Sequence, residues 1–193
     1  MFVSIFSYLP YALVTAFTPG PNNIVALHTV SQYGWRRGKN TLLGIAGGFL
    51  CVMLLCALLC YQLAQYVPAA VEILKYVGAA YIFWLAIHIA RSKPAAQAQS
   101  GCSFWRGFWL QFVNVKIILY AITIYTAYVL PHTAALLALL LHAFVLTAIG
   151  AAGCLTWSAL GHALHSFLQK YFRPFNYAMA AILLYCAVSL ILE

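Results

Sequence analysis

Two short polar motifs interrupt long apolar stretches of this sequence, and the first is Thr18-Pro19-Gly20-Pro21-Asn22-Asn23. Neither proline can donate an N–H to the carbonyl one turn earlier, and the glycine removes the steric limit on the backbone between them. We expect a helix to break here, freeing carbonyl oxygens around residues 15–18 and starting a new half-helix at Asn22. Carbonyls accept hydrogen bonds from an ammonium group, and a helix N-terminus favours an anion. The motif therefore predicts a site for a zwitterionic amino acid; the alternative is a proline kink with an interhelical asparagine hydrogen bond.

The second motif consists of Gln111, Asn114 and Lys116, which lie a third to half of the way into another apolar stretch. A cation at such a depth in a membrane costs at least roughly 2.5–3.5 kcal/mol. The only acidic residue before the C-terminal one is Glu72, which is expected near the outer face. Lys116 must therefore use carbonyls, amide side chains, water or a bound anion. It could anchor a substrate carboxylate or carry a proton for coupling; the alternative is a structural lysine bonded to the broken first helix.

Aromatic and imidazole side chains give weaker signals. Tyr81 and Trp84 could line the same cavity, because both are expected deep in an apolar helix. His28 and His142 could relay protons, although isolated histidines are more often hydrogen-bonded structural residues. Glycines on two predicted helices permit close helix packing: Gly44, Gly47, Gly48, Gly150 and Gly153.

Other classes of function lack the residues they need. The six cysteines include no CxxC pair, and Cys51, Cys56 and Cys60 are expected on one helix as small apolar fillers. A membrane thiol-redox protein that carries electrons and a metal-ion exporter remain the alternatives, but paired thiols and metal-ligand spacing are missing. An intramembrane hydrolase would need a serine–histidine pair, for which no motif is present. We therefore predict no catalytic residue, no metal site and no cofactor.

The composition places these motifs in a membrane. The 193 residues are 65% hydrophobic and 6% charged, against roughly 25% charged in a soluble domain. With roughly 20 apolar residues per crossing, the chain has room for about six transmembrane helices in a single transporter domain, residues 1–193. They are expected at about Ser4–Leu27, Thr41–Ala64, Ala70–Ala90, Gly107–Leu130, Ala134–Ser158 and Phe175–Leu192, with Pro68, Pro94, Pro131 and Pro174 at or beside the joints.

The distribution of charge predicts the orientation. The net charge is +8, but the basic residues sit in short loops, which argues for membrane topology and against nucleic-acid binding. Eight of the ten lie on alternate loops: Arg36, Arg37, Lys39, Arg91, Lys93, Arg106, Lys170 and Arg173. The positive-inside rule makes those loops cytoplasmic, so both termini are predicted outside. A five-span or re-entrant arrangement would put the two best basic loops on opposite faces.

A linker at about 92–103 divides the chain into halves of about 1–91 and 104–193, each with three predicted helices. Because an odd number of crossings flips the second copy, any repeat between the halves must be inverted. The first helix of each half carries its polar motif, and inverted repeats with broken helices at the midplane are a recurrent transporter plan.

At these motifs the chain resembles the lysine exporter (LysE/RhtB) superfamily of amino-acid efflux proteins. The likeness is carried by Pro-Gly-Pro-Asn-Asn at 19–23, by Gln-Phe-Val-Asn-Val-Lys-Ile-Ile-Leu-Tyr at 111–120 and by Gly-Ala-Ala-Tyr at 78–81, and it extends over the whole length. Many members have proline where this chain has Val115, so we expect a softer break in the fourth helix. The second string is characteristic of the branch that exports cysteine and O-acetylserine.

The resemblance implies a secondary active transporter in the bacterial inner membrane. It implies a multi-pass protein that exports small neutral amino acids, most of all cysteine and O-acetylserine. The implied mechanism is antiport with the proton as coupling ion, and Lys116 is the candidate for the coupling group. The expected partners are the amino-acid substrate and the lipid bilayer, with no nucleic acid. A homo-oligomer is left open.

Overall fold

The computed structural model describes residues 2–18, 20–66, 68–91 and 102–192, and every regular element in these ranges is a helix. The helices are α1 (Phe2–Phe17), α2 (Pro21–Tyr66), α3 (Pro68–Arg91), α4 (Phe104–Val113), α5 (Val115–Thr123), a π-helical segment (Ile124–Val129) that continues α5, and α6 (Leu136–Leu192). The predicted all-helical class is thus confirmed. The predicted linker, the prediction for Pro94 and the boundary between the two halves fall almost wholly on residues 92–101, outside the described residues.

Two or three spans of the described helices are long and apolar enough for a membrane. Among the described residues, Tyr33–Tyr66 and Leu136–Ala159 are long and apolar enough to cross a membrane. A third crossing is obtained if Phe104–Val113 and Val115–Val129, which are bent by 61°, form one span. Three further apolar helices are shorter: Ile5–Phe17, Tyr76–His88 and Tyr177–Val188. Each of these six segments overlaps one of the predicted spans.

The predicted break in the first apolar stretch is present. Helix α1 ends at Phe17, α2 begins at Pro21, and Gly20 between them is not helical. Pro19 of the motif lies outside the described residues. The last regular hydrogen bond of α1 runs from the Thr18 N–H to the Val14 carbonyl at 2.9 Å, and the Ile24 N–H bonds the Gly20 carbonyl at 2.9 Å to start α2.

Two helix boundaries differ from the prediction. The basic residues at 36–39 belong to a helix rather than a loop, because α2 changes direction before them, at Gly34. The φ of Gly34 is 70°, a value that glycine adopts easily and that other residues rarely adopt. Helix α6 continues through Pro174, where a joint between two spans was predicted. A proline removes one backbone hydrogen bond from a helix and can bend it without ending it.

One buried cluster joins most of the helices. It contains side chains from α1, α2, α3, α5, the π-helical segment and both ends of α6, for example Leu139 and Leu183. Glycines let the backbones approach closely, since a Cβ on Gly48 would collide with the Phe108 carbonyl and one on Gly107 with the Thr41 carbonyl. This tight contact between α2 and α4 brings the break before α2 next to the end of α4.

Candidate functional site

The carbonyl oxygens that the break in α1 frees are all bound by protein donors. The Thr15 carbonyl accepts from the Thr18 hydroxyl at 3.2 Å, and those of Ala16 and Thr18 accept from the Asn23 amide at 2.7 and 2.8 Å. The Phe17 carbonyl accepts from the Trp157 indole on α6 at 3.2 Å. These hydrogen bonds stabilise the break, because carbonyl groups that are freed from a helix in lipid need other partners.

Lys116 reaches this break from α5. Its Nζ donates to the Thr15 carbonyl at 3.2 Å and to the Thr18 hydroxyl at 3.3 Å. Both of these partners, which lie among the described residues, are uncharged oxygens, so neither compensates the positive charge of the ammonium group. The side chain of Glu72 is outside the described part of the chain. An ammonium group held in this way has a third proton and an uncompensated charge with which to bind a carboxylate.

A second helix break lies directly before Lys116. Asn114 has φ −84° and ψ 90° between α4 and α5, and the two helices are bent by 61° at this residue. The Asn114 carbonyl still accepts from the N–H groups of Ile117 and Ile118, so α5 begins at once on the far side. A softer break was expected with Val115 in place of the proline of many relatives, but the two helices are bent by 61°.

Three amide side chains connect the two breaks. Asn22 and Gln111 exchange two hydrogen bonds, from Asn22 Nδ2 to Gln111 Oε1 at 2.8 Å and from Gln111 Nε2 to Asn22 Oδ1 at 3.0 Å. Asn114 Nδ2 also donates to Asn22 Oδ1 at 3.3 Å. The start of α2 is thus fastened to the end of α4 and to the start of α5.

A cavity of about 230 Å³ lies where the two breaks meet. It extends from the exposed Trp35 and Lys39 to the buried Phe49 and Tyr120, so its mouth is at the end of the bundle that carries the basic segment of α2. The lining residues that belong to the predicted site are Gly20, Pro21, Asn22, Asn23, Asn114 and Lys116. Asn22 and Lys116 therefore share one cavity.

Other predicted site residues lie around the cavity without lining it. Thr18 and Gln111 are fully buried and contact lining residues. Tyr81 is buried in the core, and its hydroxyl donates to the Lys116 carbonyl at 3.4 Å. Trp84 is 54% exposed and stacks on Tyr81 and His88, on the outside of the helix bundle. A substrate-binding role for these residues remains a prediction.

Several lining residues were not among the predicted site residues. Phe49, Ile117, Tyr120 and Cys154 lie on three different helices, and Cys154 Sγ donates to Asn23 Oδ1 at 3.4 Å. Apolar residues on a largely apolar chain give no signal of their own. The glycine at 150 was the closest indication, since it was singled out for packing and it lines the cavity across from Phe49.

The described histidines and cysteines form no group that suits a metal ion. His142 is fully buried and its Nδ1 pairs with the Tyr8 hydroxyl at 2.9 Å. All six cysteines are free thiols. In the part of the chain that the structure describes, no three His, Cys, Asp or Glu residues are grouped closely enough to hold a metal ion.

Comparison with known proteins gives a consistent picture. The model of the LysE type translocator family matches residues 13–193. A cysteine/O-acetylserine efflux protein of Klebsiella pneumoniae subsp. pneumoniae is 45% identical over 189 residues, 97% of this chain and 96% of the relative. Proteins of the same name from Escherichia coli K12 and Shigella flexneri serotype 5b are 45% identical over 186 residues, 95% of each chain. No solved structure is significantly similar to this chain.

Proposed function

We propose that this chain, which belongs to the LysE type translocator family, exports small neutral amino acids from the cytoplasm. Cysteine and O-acetylserine are the proposed substrates, because relatives that are 45% identical along nearly the whole chain are named for their efflux. The family and the membrane helices favour a transporter rather than an enzyme.

The observation that carries this proposal is the meeting of two helix breaks at one lysine inside a cavity. Pockets for drug-sized ligands measure about 300–1,000 Å³, so a cavity of about 230 Å³ suits a solute as small as one amino acid. The substrate carboxylate binds Lys116 and the N–H groups at the start of α2, since half-helix N-termini of transporters face anionic substrate groups. The substrate ammonium binds the second lone pair of the Ala16 carbonyl, which lines the cavity and accepts one hydrogen bond from Asn23 Nδ2.

The proposed topology is six spans in the bacterial inner membrane, with both termini outside and the two halves related as inverted repeats. Two contacts support the orientation: Cys102 Sγ donates to the Arg37 carbonyl at 2.8 Å, and the Ser103 N–H to the Thr41 hydroxyl at 3.1 Å. The basic segment of α2 and the start of α4 thus lie at one end, as the positive-inside rule requires. The breaks at Gly20 and Asn114, each in the first apolar stretch of its half, support the repeat.

Proton antiport is the proposed energy source, with Lys116 as the coupling group. The described part of the site contains no carboxylate, and Lys116 is its one strongly basic group at the breaks. Exchange of one solute for one proton requires that the two alternate at the site: Lys116 takes up a proton outside, carries it inward on the return and releases it to the cytoplasm, and the next substrate leaves without that proton.

Uptake by inverted membrane vesicles tests the function directly. Inverted membrane vesicles that contain the protein are expected to accumulate labelled cysteine and O-acetylserine when the membrane is energised, and a protonophore is expected to stop the accumulation. Vesicles without the protein are the control. Equal uptake by both kinds of vesicle would contradict export, whereas uptake that survives the protonophore would contradict only the coupling.

A further inference from the structure

The amide side chains between the two helix breaks satisfy one another. Asn22 and Gln111 make a reciprocal pair, and Asn22 Oδ1 also accepts from Asn114 Nδ2. The second hydrogen of Gln111 Nε2 goes to the Gly107 carbonyl at 3.1 Å, one turn back on α4. Both lone pairs of the Asn22 oxygen and both hydrogens of the Gln111 nitrogen are therefore in use.

The position of Gln111 distinguishes a residue that contacts the substrate from one that only supports the site, which the sequence alone could not do. Its side chain is fully buried and does not line the cavity, so it cannot touch a solute there. Asn22 does line the cavity, but its oxygen has no free lone pair for a substrate ammonium. The Gln111 side chain and the Asn22 oxygen therefore serve the contact between the helices and are not substrate ligands.

The same bonds fix the groups that do face the cavity. Asn22 lies in the first turn of α2, Gln111 in the last turn of α4, and Asn114 is the break itself. Holding these points together sets the start of α2, with the N–H groups of Asn22 and Asn23, against the start of α5, which carries Lys116. Because Gln111 is fully buried, breaking its pair with Asn22 leaves a buried amide without a hydrogen-bond partner.

We propose that Gln111 is a positioning residue, and that Asn22, Gln111 and Asn114 form an amide clamp that aligns the two broken helices for substrate binding. The substrate carboxylate binds Lys116 and the start of α2, which the clamp holds in register, and not the Gln111 side chain. This inference rests on the proposed export function and names the part of the site that is scaffold.

Export kinetics of clamp variants test the inference. Asn22→Ala and Gln111→Ala are each expected to raise the KM for O-acetylserine about tenfold, because each leaves a buried amide unpaired. The double variant is expected to be no worse than either single variant, since both remove the same bond. Exchanging the two residues, Asn22→Gln with Gln111→Asn, keeps the summed length of the pair and is expected to restore most of the wild-type KM.

The exchanged pair separates the clamp from direct binding. If Asn22 were a substrate ligand, Gln111→Ala would leave the KM near the wild-type value and the exchange would not rescue Asn22→Ala; either result overturns the clamp.

Gln62→Ala, at an exposed position on α2, is the matched control and is expected to transport like wild type. Thermal unfolding in detergent checks that each variant is folded, and if Gln111→Ala does not accumulate, the exchanged pair still decides. Wild-type protein that exports neither solute would overturn the proposed function instead.

Discussion

At the scale of single residues, the ammonium group of Lys116 is central to the site. We expect Lys116→Met, which keeps the length of the side chain but removes its charge and donors, to lower export on the order of a hundredfold. Lys39→Met, at the exposed mouth of the same cavity, is the matched control and should change export much less. Initial rates of labelled O-acetylserine uptake into inverted vesicles measure both, and near-normal export by Lys116→Met would remove the lysine from the mechanism.

Gly20 leaves the space in front of this ammonium group open. A Cβ at Gly20 would lie 3.1 Å from Lys116 Nζ, where the substrate carboxylate must approach. We expect Gly20→Ala to lower export on the order of tenfold, because small misplacements at a binding site are costly. Gly47→Ala is the control, since its Cβ would meet only two phenylalanine rings at 3.8 and 3.9 Å. Equal export by the two variants in the same vesicle assay would show that the space is not used.

The polar half of this site could be predicted from the sequence, and the apolar half could not. Prolines, asparagines and a lysine are conspicuous in an apolar stretch, because each is costly in lipid unless it has a partner. The clamp partner of Asn22 and the donors to the broken carbonyls depend on helix packing that no local pattern encodes. Trp157, which binds the Phe17 carbonyl from α6, is an example.

At the scale of helices, the break at Asn114 does not need a proline. Asn114 is already extended, which is the conformation that a following proline requires, and Val115 is the first residue of α5, where an N–H has no helical partner. We expect Val115→Pro to keep export and to stabilise the protein by about 0.4–1 kcal/mol, because it restricts the unfolded chain.

A proline three residues later should have the opposite effect. The Ile118 N–H donates to the Asn114 carbonyl at 3.2 Å, so Ile118→Pro removes a bond of α5 and should cost about 3 kcal/mol or more. Thermal unfolding in detergent compares the two variants with wild type. A loss of stability in Val115→Pro as large as in Ile118→Pro would mean that the break has a different geometry.

The apolar helical segments were predictable because long apolar runs dominate the sequence, but their ends were less so. A glycine with positive φ divides α2 at Gly34, before the basic residues rather than after them. Helix α6 passes through Pro174 because a single missing N–H bends a helix without ending it. Helix ends depend on such local compensations, which hydropathy does not report.

At the scale of the whole molecule, the cavity is open at one end and closed at the other by aromatic rings. Tyr120 and Phe49 line its inner end with ring centroids 6.2 Å apart, and Tyr11 packs against Tyr120 at 5.4 Å and Tyr128 at 6.3 Å. All four rings are buried. Because the open end carries the basic segment, the structure corresponds to a state open to the cytoplasm under the proposed orientation.

Cys154 offers a native probe of this arrangement. It lines the cavity, whereas Cys102 lies at the basic end of the bundle against the Arg37 carbonyl. In variants that retain only one of these two cysteines, we expect a small charged methanethiosulfonate to modify both from the cytoplasmic face, in inverted vesicles, and neither in right-side-out vesicles. Mass spectrometry of the isolated protein measures the extent of modification.

Substrate should distinguish the two thiols. O-acetylserine has no thiol to consume the reagent, and bound in the cavity it is expected to slow modification of Cys154 while leaving Cys102 unchanged. Protection of both would indicate a general change of conformation, and protection of neither would place the substrate outside this cavity. Modification of both thiols only from the opposite face would contradict the orientation. Modification of Cys154 alone from that face would mean that the aromatic layer of Tyr11, Phe49, Tyr120 and Tyr128 opens outward while the basic end is closed.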